Sequence, residues 1–180
     1  MVPSEQSDSS SEKEIFILAE TELHPNPRVG VAVFIIRDGK FLMGKRKGSH
    51  GDGSWTVMGG HVEFGETLEQ TSAREVLEET GCEITDIRFG AITNDIFLAE
   101  NKHYLTVWML SNWKSGEPEI REPDKLVELC WVDFDNLPEP LFLPWGQLKK
   151  SEFINNIKQE VAKSLGRNKL SDDNRRKSNR

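Results

Sequence analysis

Arg74, Glu75, Glu78 and Glu79 stand within the eight residues "REVLEETG", 74 to 81. At about 100° per residue, a helix brings the three glutamates within an arc of roughly 100°. Like charges at this spacing repel by a few tenths of a kcal/mol per pair. A charge run of this kind is ordinarily a solvated face. The alternative is a cluster arranged to receive a cation.

The elements that must position this cluster can be read from the surrounding pattern. Thr67 and Gln70 have the spacing of a capping box, and Gly81 is a natural stop, so a helix is expected over about 67 to 80. Ala73, Val76, Leu77 and Thr80 recur at i, i+3, i+4 and i+7, which predicts the stripe that packs on a sheet. The glutamates are then expected on the opposite side. Upstream, "RVGVAVFII" is a nearly continuous apolar run, suited to a strand covered on both faces. An Asp38-Gly39 turn and the return "FLMGKRK" complete a hairpin over 29 to 46. Loop signals in "GSHGDGS" lead to a short extended piece, "WTVMGGHVEF". Further strands fit "ITDIRFGAITNDIF", "HYLTVWMLSNW" and "LVELCWVDF", and a last helix is expected from about 145 to 164. This order implies an α/β fold, a mixed sheet packed between helices.

The chain has 180 residues, 36% hydrophobic and 29% charged, which suits one soluble domain. Residues 15–165 are expected to form it, between a disordered, Ser/Glu-rich segment 1–14 and a disordered polar tail 166–180. The net charge of −7 argues against bulk binding to DNA or to anionic membranes, so no membrane and no nucleic-acid polymer is expected as a partner. Small anionic ligands need only a local basic cleft. Cys82 and Cys130 form neither a metal motif nor a disulfide framework, which favours a reducing compartment. "IFILA" at 15 to 19 is too short to span a membrane, and the acidic start is no signal peptide. The cytoplasm is the expected location, with the nucleus as a further candidate.

Read backwards from Gly81, the sequence gives Gly60, five residues, Glu66, seven residues, then Arg74-Glu75-Val76-Leu77-Glu78-Glu79-Thr80-Gly81. This pattern, G-x5-E-x7-R-E-U-x-E-E-x-G-U with U a bulky aliphatic residue, resembles the signature of the Nudix hydrolases. These enzymes split a nucleoside diphosphate linked to another group. "GKRKGSHGDGSW", "GGHVEFGETLEQ" and "EPDK…W…LPEPLF" are similar to the small eukaryotic nucleoside triphosphate diphosphatases of the family, the mammalian type 15 and plant type 1 subgroup. Roughly residues 27 to 150 are covered. Two positions depart from the pattern. Cys82 replaces an aliphatic residue and should pack as a small hydrophobe. Met58 stands where these relatives have proline, which could change the floor of a base pocket.

The resemblance implies a Nudix fold and a magnesium site, with manganese as a substitute, that neutralises the leaving oxygens of a diphosphate. It makes Glu78 and Glu79 the principal metal ligands and Glu75 a further one. Glu66 would brace the loop or approach the metal. Arg74 would hold a carboxylate in place. Gly60 and Gly65 would let the backbone turn beside the phosphates. Lys45, Arg46 and Lys47 are candidates to grip phosphate, as are the Gly59-Gly60 pair, His61 and Lys125, with Asp124 or Glu122 as an added metal contact. The alignment frays there, because Val127 occupies the place of a glutamate and Glu128 follows one position later. Phe142 and Trp145 are candidates to stack on a base. The expected activity is hydrolysis of nucleoside triphosphates, purine deoxynucleotides normal or oxidised, to monophosphate and pyrophosphate. The alternatives are a hydrolase of a prenyl or other small diphosphate, and a non-catalytic nucleotide sensor. Relatives that act on ADP-ribose or dinucleoside polyphosphates commonly carry Pro or Tyr where this chain has Asp95 to Ala99. A homodimer is a further candidate assembly.

Overall fold

A computed structural model describes residues 26–48 and 50–165; the expected disordered segments 1–14 and 166–180 lie outside the described residues. Its strands are β1 (Arg28–Arg37), β2 (Lys40–Arg46), β3 (Trp55–Thr56), β4 (Glu83–Phe97), β5 (Lys102–Ser115) and β6 (Leu126–Val132). Helix α1 is Leu68–Thr80 and α2 is Leu143–Lys150, followed by a further helix, α3, over 154–165.

β1 and β2 form the expected hairpin, with Asp38 and Gly39 both at positive φ in the turn. β1 runs parallel to β5, and β5 is antiparallel to β4, which forms one end of the strand order. β2 carries β6 along its other side. The Gly-Gly segment runs antiparallel alongside β1 through the bridges Val33–Met58 and Gly30–His61. The sheet is therefore mixed, and helices cover both of its faces.

β1 shows why its run is so apolar. Every residue from Val31 to Ile36 is buried. Val31, Val33 and Ile35 point into a core shared with Leu42, Val76 and Met109 beneath α1. Ala32, Phe34 and Ile36 point the other way, among Phe41, Trp108, Trp145, Leu148 and Ile157. Strand alternation thus places one strand in two cores. Cys82 is fully buried in the α1-side core, as its role of small hydrophobe requires.

Two expectations need correction. The last helix is interrupted: α2 ends before Ser151, which accompanies a turn at 151–153, and a new helix begins at 154. The faces of α1 are also not those the apolar stripe predicts. Ala73 is exposed and Leu77 is 45% exposed, while Ser72, Glu75, Val76, Glu79 and Thr80 face inward. The inward hydroxyls are satisfied by the helix itself. Ser72 donates to the Leu68 carbonyl at 2.7 Å and Thr80 to the Val76 carbonyl at 2.7 Å. A small polar face with its own hydrogen bonds can therefore pack closely, with Val76 as its large apolar contact.

Candidate active site

α1 begins as its sequence requires. Thr67 Oγ1 accepts from the Gln70 amide at 3.2 Å, and the Gln70 side chain accepts from the Thr67 amide at 2.8 Å. This fixes the helix start against the loop at 59–66. Contact between loop and helix is close: a β-carbon on Gly60 would collide with the Glu75 carboxylate, and one on Gly59 with the Val31 carbonyl. At Gly59 the approach of backbone requires glycine, and its N–H donates to Glu79 Oε2 at 3.0 Å.

Arg74 is the hub of the acidic cluster. Its Nε and Nη2 bind the two oxygens of Glu66 at 2.7 and 2.9 Å, a bidentate fork. Nη1 reaches Glu75 at 2.7 Å and Glu78 at 3.2 Å, and Nη2 also donates to the His61 carbonyl at 3.1 Å. Glu66 further accepts from the Thr71 hydroxyl at 2.8 Å and from the Glu63 amide at 3.2 Å. The Arg74 hydrogen bonds, chiefly, hold the Glu66 carboxyl down to about 2. Glu66 therefore ties the loop to the helix, the first of its two expected positions.

A cleft of about 520 Å³ opens beside these groups. Glu75 and Glu79, 7% and 6% exposed, line one part of it. Glu79 is crowded. Burial, with the charges of Glu75 and Glu122 adding, pushes its carboxyl up to about 8 against the Gly59 hydrogen bond. Glu78, expected as a principal ligand, stands about half exposed outside the cleft lining, paired to Arg74. One step along the helix turns it by about 100° from Glu79.

Arg46, Lys47 and Lys125 bring positive charge to the same cleft. Burial lowers the Arg46 pKa, while the ion pair of Lys125 with Glu122, 2.9 Å away, raises that of Lys125. Lys47 N–H donates to the Lys125 carbonyl at 2.8 Å, which joins the two segments. His61 lines the cleft too, its pKa lowered first by burial and then by the Arg28 charge. Asp124, Val127 and Glu128 do not reach it. Lys45 is also elsewhere: it pairs with Trp55 across the ladder, its ammonium 6.0 Å from that ring. Adjacent residues on a strand point to opposite faces, so Arg46 alone of the pair enters.

The rest of the cleft is aromatic. Phe142 meets His50 edge-on at 5.2 Å and Phe97 at 5.6 Å, and Arg46 lies 4.3 Å above its ring. Tyr104 stands 5.9 Å from Phe97 and 5.6 Å from His61. Phe142 is anchored, since its N–H donates to the Trp55 carbonyl at 2.9 Å. Trp145, expected beside it as a stacking ring, is 0% exposed and packs on Phe34, Phe41 and Trp108. It is a core residue, because the first turn of α2 rotates it toward the sheet. Met58 is likewise core and forms no part of the cleft floor.

His50, Phe97, Lys102, Tyr104 and Thr106 line the cleft and were absent from the sequence candidates. A histidine inside "GSHGDGS" was one available signal. The single tyrosine of the chain was another.

The family follows from a direct comparison, because the NUDIX domain model matches residues 26–154. The chain belongs to the Nudix family. Among curated relatives, the NAD-capped RNA hydrolase NudC of Shigella dysenteriae serotype 1 is 36% identical over 108 residues, 60% of this chain and 40% of that protein. NudC of Escherichia coli O1:K1 matches to the same extent. The chain thus spans well under half the length of these Nudix relatives. Among solved structures, a MutT NUDIX hydrolase from Burkholderia pseudomallei superposes with a TM-score of 0.62 at 36% identity, covering 65% of this chain and 91% of that one. A UDP-X diphosphatase, at 24% identity and a TM-score of 0.58 over 86% of this chain and 72% of its own, shares the fold. The curated relatives and the 36%-identical structure are of NudC and MutT type, and not specifically of the eukaryotic subgroup expected from the sequence.

The donor set fits the divalent cation that the Nudix signature implies. Among the described residues, no three acidic, histidine or cysteine side chains already converge as a complete cage. Even so, Glu75 and Glu79 present hard oxygens into the cleft from one helix, and burial, with the Glu75 charge adding, raises the pKa of Glu79, a penalty that a bound cation would relieve. These two would hold the ion, which would supply charge neutralisation at the diphosphate.

Proposed function

We propose that the chain is a magnesium-dependent nucleoside triphosphate diphosphatase of the small eukaryotic type. It would favour purine deoxynucleotides, normal or oxidised, and release the monophosphate and pyrophosphate. One observation carries the reading: a single cleft joins the Glu75/Glu79 carboxylates, the cations Arg46, Lys47 and Lys125, and a wall of flat rings at Phe97, Tyr104 and Phe142. Its volume is in the range that encloses a small molecule. In this reading Arg46 and Lys125 bind the phosphates and Phe142 stacks on the base. Arg74 keeps Glu75 oriented, and Gly59 N–H keeps Glu79 oriented. Retention of every carboxylate of the motif favours an enzyme over a nucleotide sensor.

A pyrophosphate-release screen with magnesium tests this. It covers purine and pyrimidine triphosphates, oxidised purine triphosphates, prenyl diphosphates, NAD and NAD-capped RNA. The expected result is highest kcat/KM on a purine triphosphate. Preference for an isoprenoid diphosphate would replace the nucleotide reading, and preference for NAD or a capped RNA would assign the chain the substrate named for its NudC relatives. Tight nucleotide binding without turnover would make it a sensor.

A further inference from the structure

Arg28 opens β1, Lys102 opens β5, and both line the cleft. Among the described residues neither forms an ion pair, whereas Lys125 is paired with Glu122 and Arg46 donates to the His50 carbonyl at 2.9 Å. Glu63 lines the same cleft and pairs with neither of them. The local balance of charge reverses that of the whole chain. Five cations and three carboxylates line the cleft, in a molecule of net charge −7. Uncompensated positive charge in a cleft concentrates anions there.

Strand pairing puts the two cations together. In the β1–β5 ladder Arg28 stands opposite Tyr104, and Lys102 lies two residues before Tyr104 on the same face. The loop beside β1 gives the direction. Gly59 N–H donates to Glu79, a β-carbon on Gly60 would meet the Glu75 carboxylate, and His61 is bridged to Gly30, two residues from Arg28. The order along the cleft is therefore Glu79, Glu75, His61, then Arg28 with Lys102. The electrostatics of His61 agree with this order. After burial, the Arg28 charge lowers its pKa most, Glu75 opposes, and Lys125 and Lys102 lower it further. A row of phosphates laid past the two carboxylates thus runs over His61 to the cationic pair.

We infer that Arg28 and Lys102 are specificity-determining residues that hold the terminal phosphate of the substrate and so select triphosphates over diphosphates. The inference rests on the nucleotide reading above and assigns one phosphate of that substrate to these two side chains. Arg46, above the Phe142 ring, stays with the phosphates nearer the base. The terminal phosphate departs within the released pyrophosphate, so the pair also holds part of the product.

Matched substrates test it: kcat/KM on dGTP against dGDP, and on dATP against dADP, with magnesium. The wild type should prefer the triphosphate by about tenfold or more, the scale of a charge-assisted hydrogen bond. In the double variant Arg28→Ala/Lys102→Ala the triphosphate should lose about tenfold more than the diphosphate, so that the preference collapses. Lys114→Ala removes a cation paired with Glu83 outside the cleft and should leave the ratio as in the wild type. Calorimetric binding of tripolyphosphate, which has no base, should weaken by a similar factor in the double variant alone. An unchanged ratio in the folded double variant, equal losses on tri- and diphosphate, or undiminished tripolyphosphate binding would each overturn the inference and leave the nucleotide reading standing. A loss confined to NAD or NAD-capped RNA would give the pair to a second nucleotide and overturn it too. If the wild type neither binds nor hydrolyses a nucleoside triphosphate, the nucleotide reading falls and the inference with it.

Discussion

The two ends of the cleft are built in opposite ways. The carboxylate end comes from one continuous stretch, Gly59 to Glu79, whose loop and helix are joined by Arg74 and by the Gly59–Glu79 hydrogen bond. The ring end is gathered from four places: His50 in a loop, Phe97 on β4, Tyr104 on β5 and Phe142 before α2. One end is set by local spacing and the other by topology. The difference predicts that damage at the first end acts on chemistry at the diphosphate, and damage at the second on choice of substrate or on the fold.

The largest effect should come from Glu79→Gln. Turnover is expected to fall by about 10³-fold or more, with affinity for a non-hydrolysable triphosphate within a few-fold of wild type. Steady-state kinetics beside calorimetric binding would show it; equal losses in both would mean that Glu79 serves binding and the two ends are not separate. The neighbouring aromatics give the next contrast. Trp145→Ala removes a fully buried ring and should cost about 3–5 kcal/mol in urea unfolding. Phe142→Ala should leave stability far less changed and lower kcat/KM on purine triphosphates by roughly 5- to 150-fold, equivalent to about 1–3 kcal/mol of stacking. A Phe142→Ala enzyme with intact efficiency would remove this ring from substrate recognition.

A smaller effect is expected at Arg74. Arg74→Lys keeps the charge but loses the fork on Glu66, and should destabilise by about 1 kcal/mol, visible as a lowered urea midpoint. The gentlest is a slope with pH. In the metal-free protein, Glu79 holds a proton up to about pH 8 when folded and releases it near 4.5 when unfolded. Its contribution is therefore complete below about pH 4.5 and is lost as pH rises toward 8. The lowered pKa values of His50 and His61 act in the opposite sense around their ordinary 6.5. The difference between wild type and Glu79→Gln isolates the glutamate. The wild type should lose stability relative to Glu79→Gln as pH rises from about 4.5 toward 8, and that slope should flatten when magnesium is added; a flat difference without metal would contradict the raised pKa of this buried carboxyl.

This division also explains what could be read from the sequence. The hairpin and the capping box depend on neighbours within a few turns of chain, and the residue spacing contains them. Hydrophobicity is a poor guide to the inward face of α1. Ser72 and Thr80 bury easily by bonding to their own helix, while Leu77 stays out. Phe142 and Trp145 are equally aromatic and three residues apart, yet only the rotation of α2 sends one to the cleft and the other to the core. His50, Phe97 and Tyr104 meet through strand pairing and a long loop, which local periodicity does not encode.

The alternation of β1 has a consequence for how this molecule can change. Odd-numbered residues from 31 to 35 support the helix that carries the carboxylates, and even-numbered residues from 32 to 36 support the side where the rings assemble. Parity along one strand therefore acts as a partition between two heritable functions. Substitutions at even positions can reshape the substrate wall while the diphosphate machinery keeps its footing, so selectivity can drift without passing through an inactive ancestor. A single-residue insertion in β1 would abolish that independence by exchanging the two sets of side chains at once.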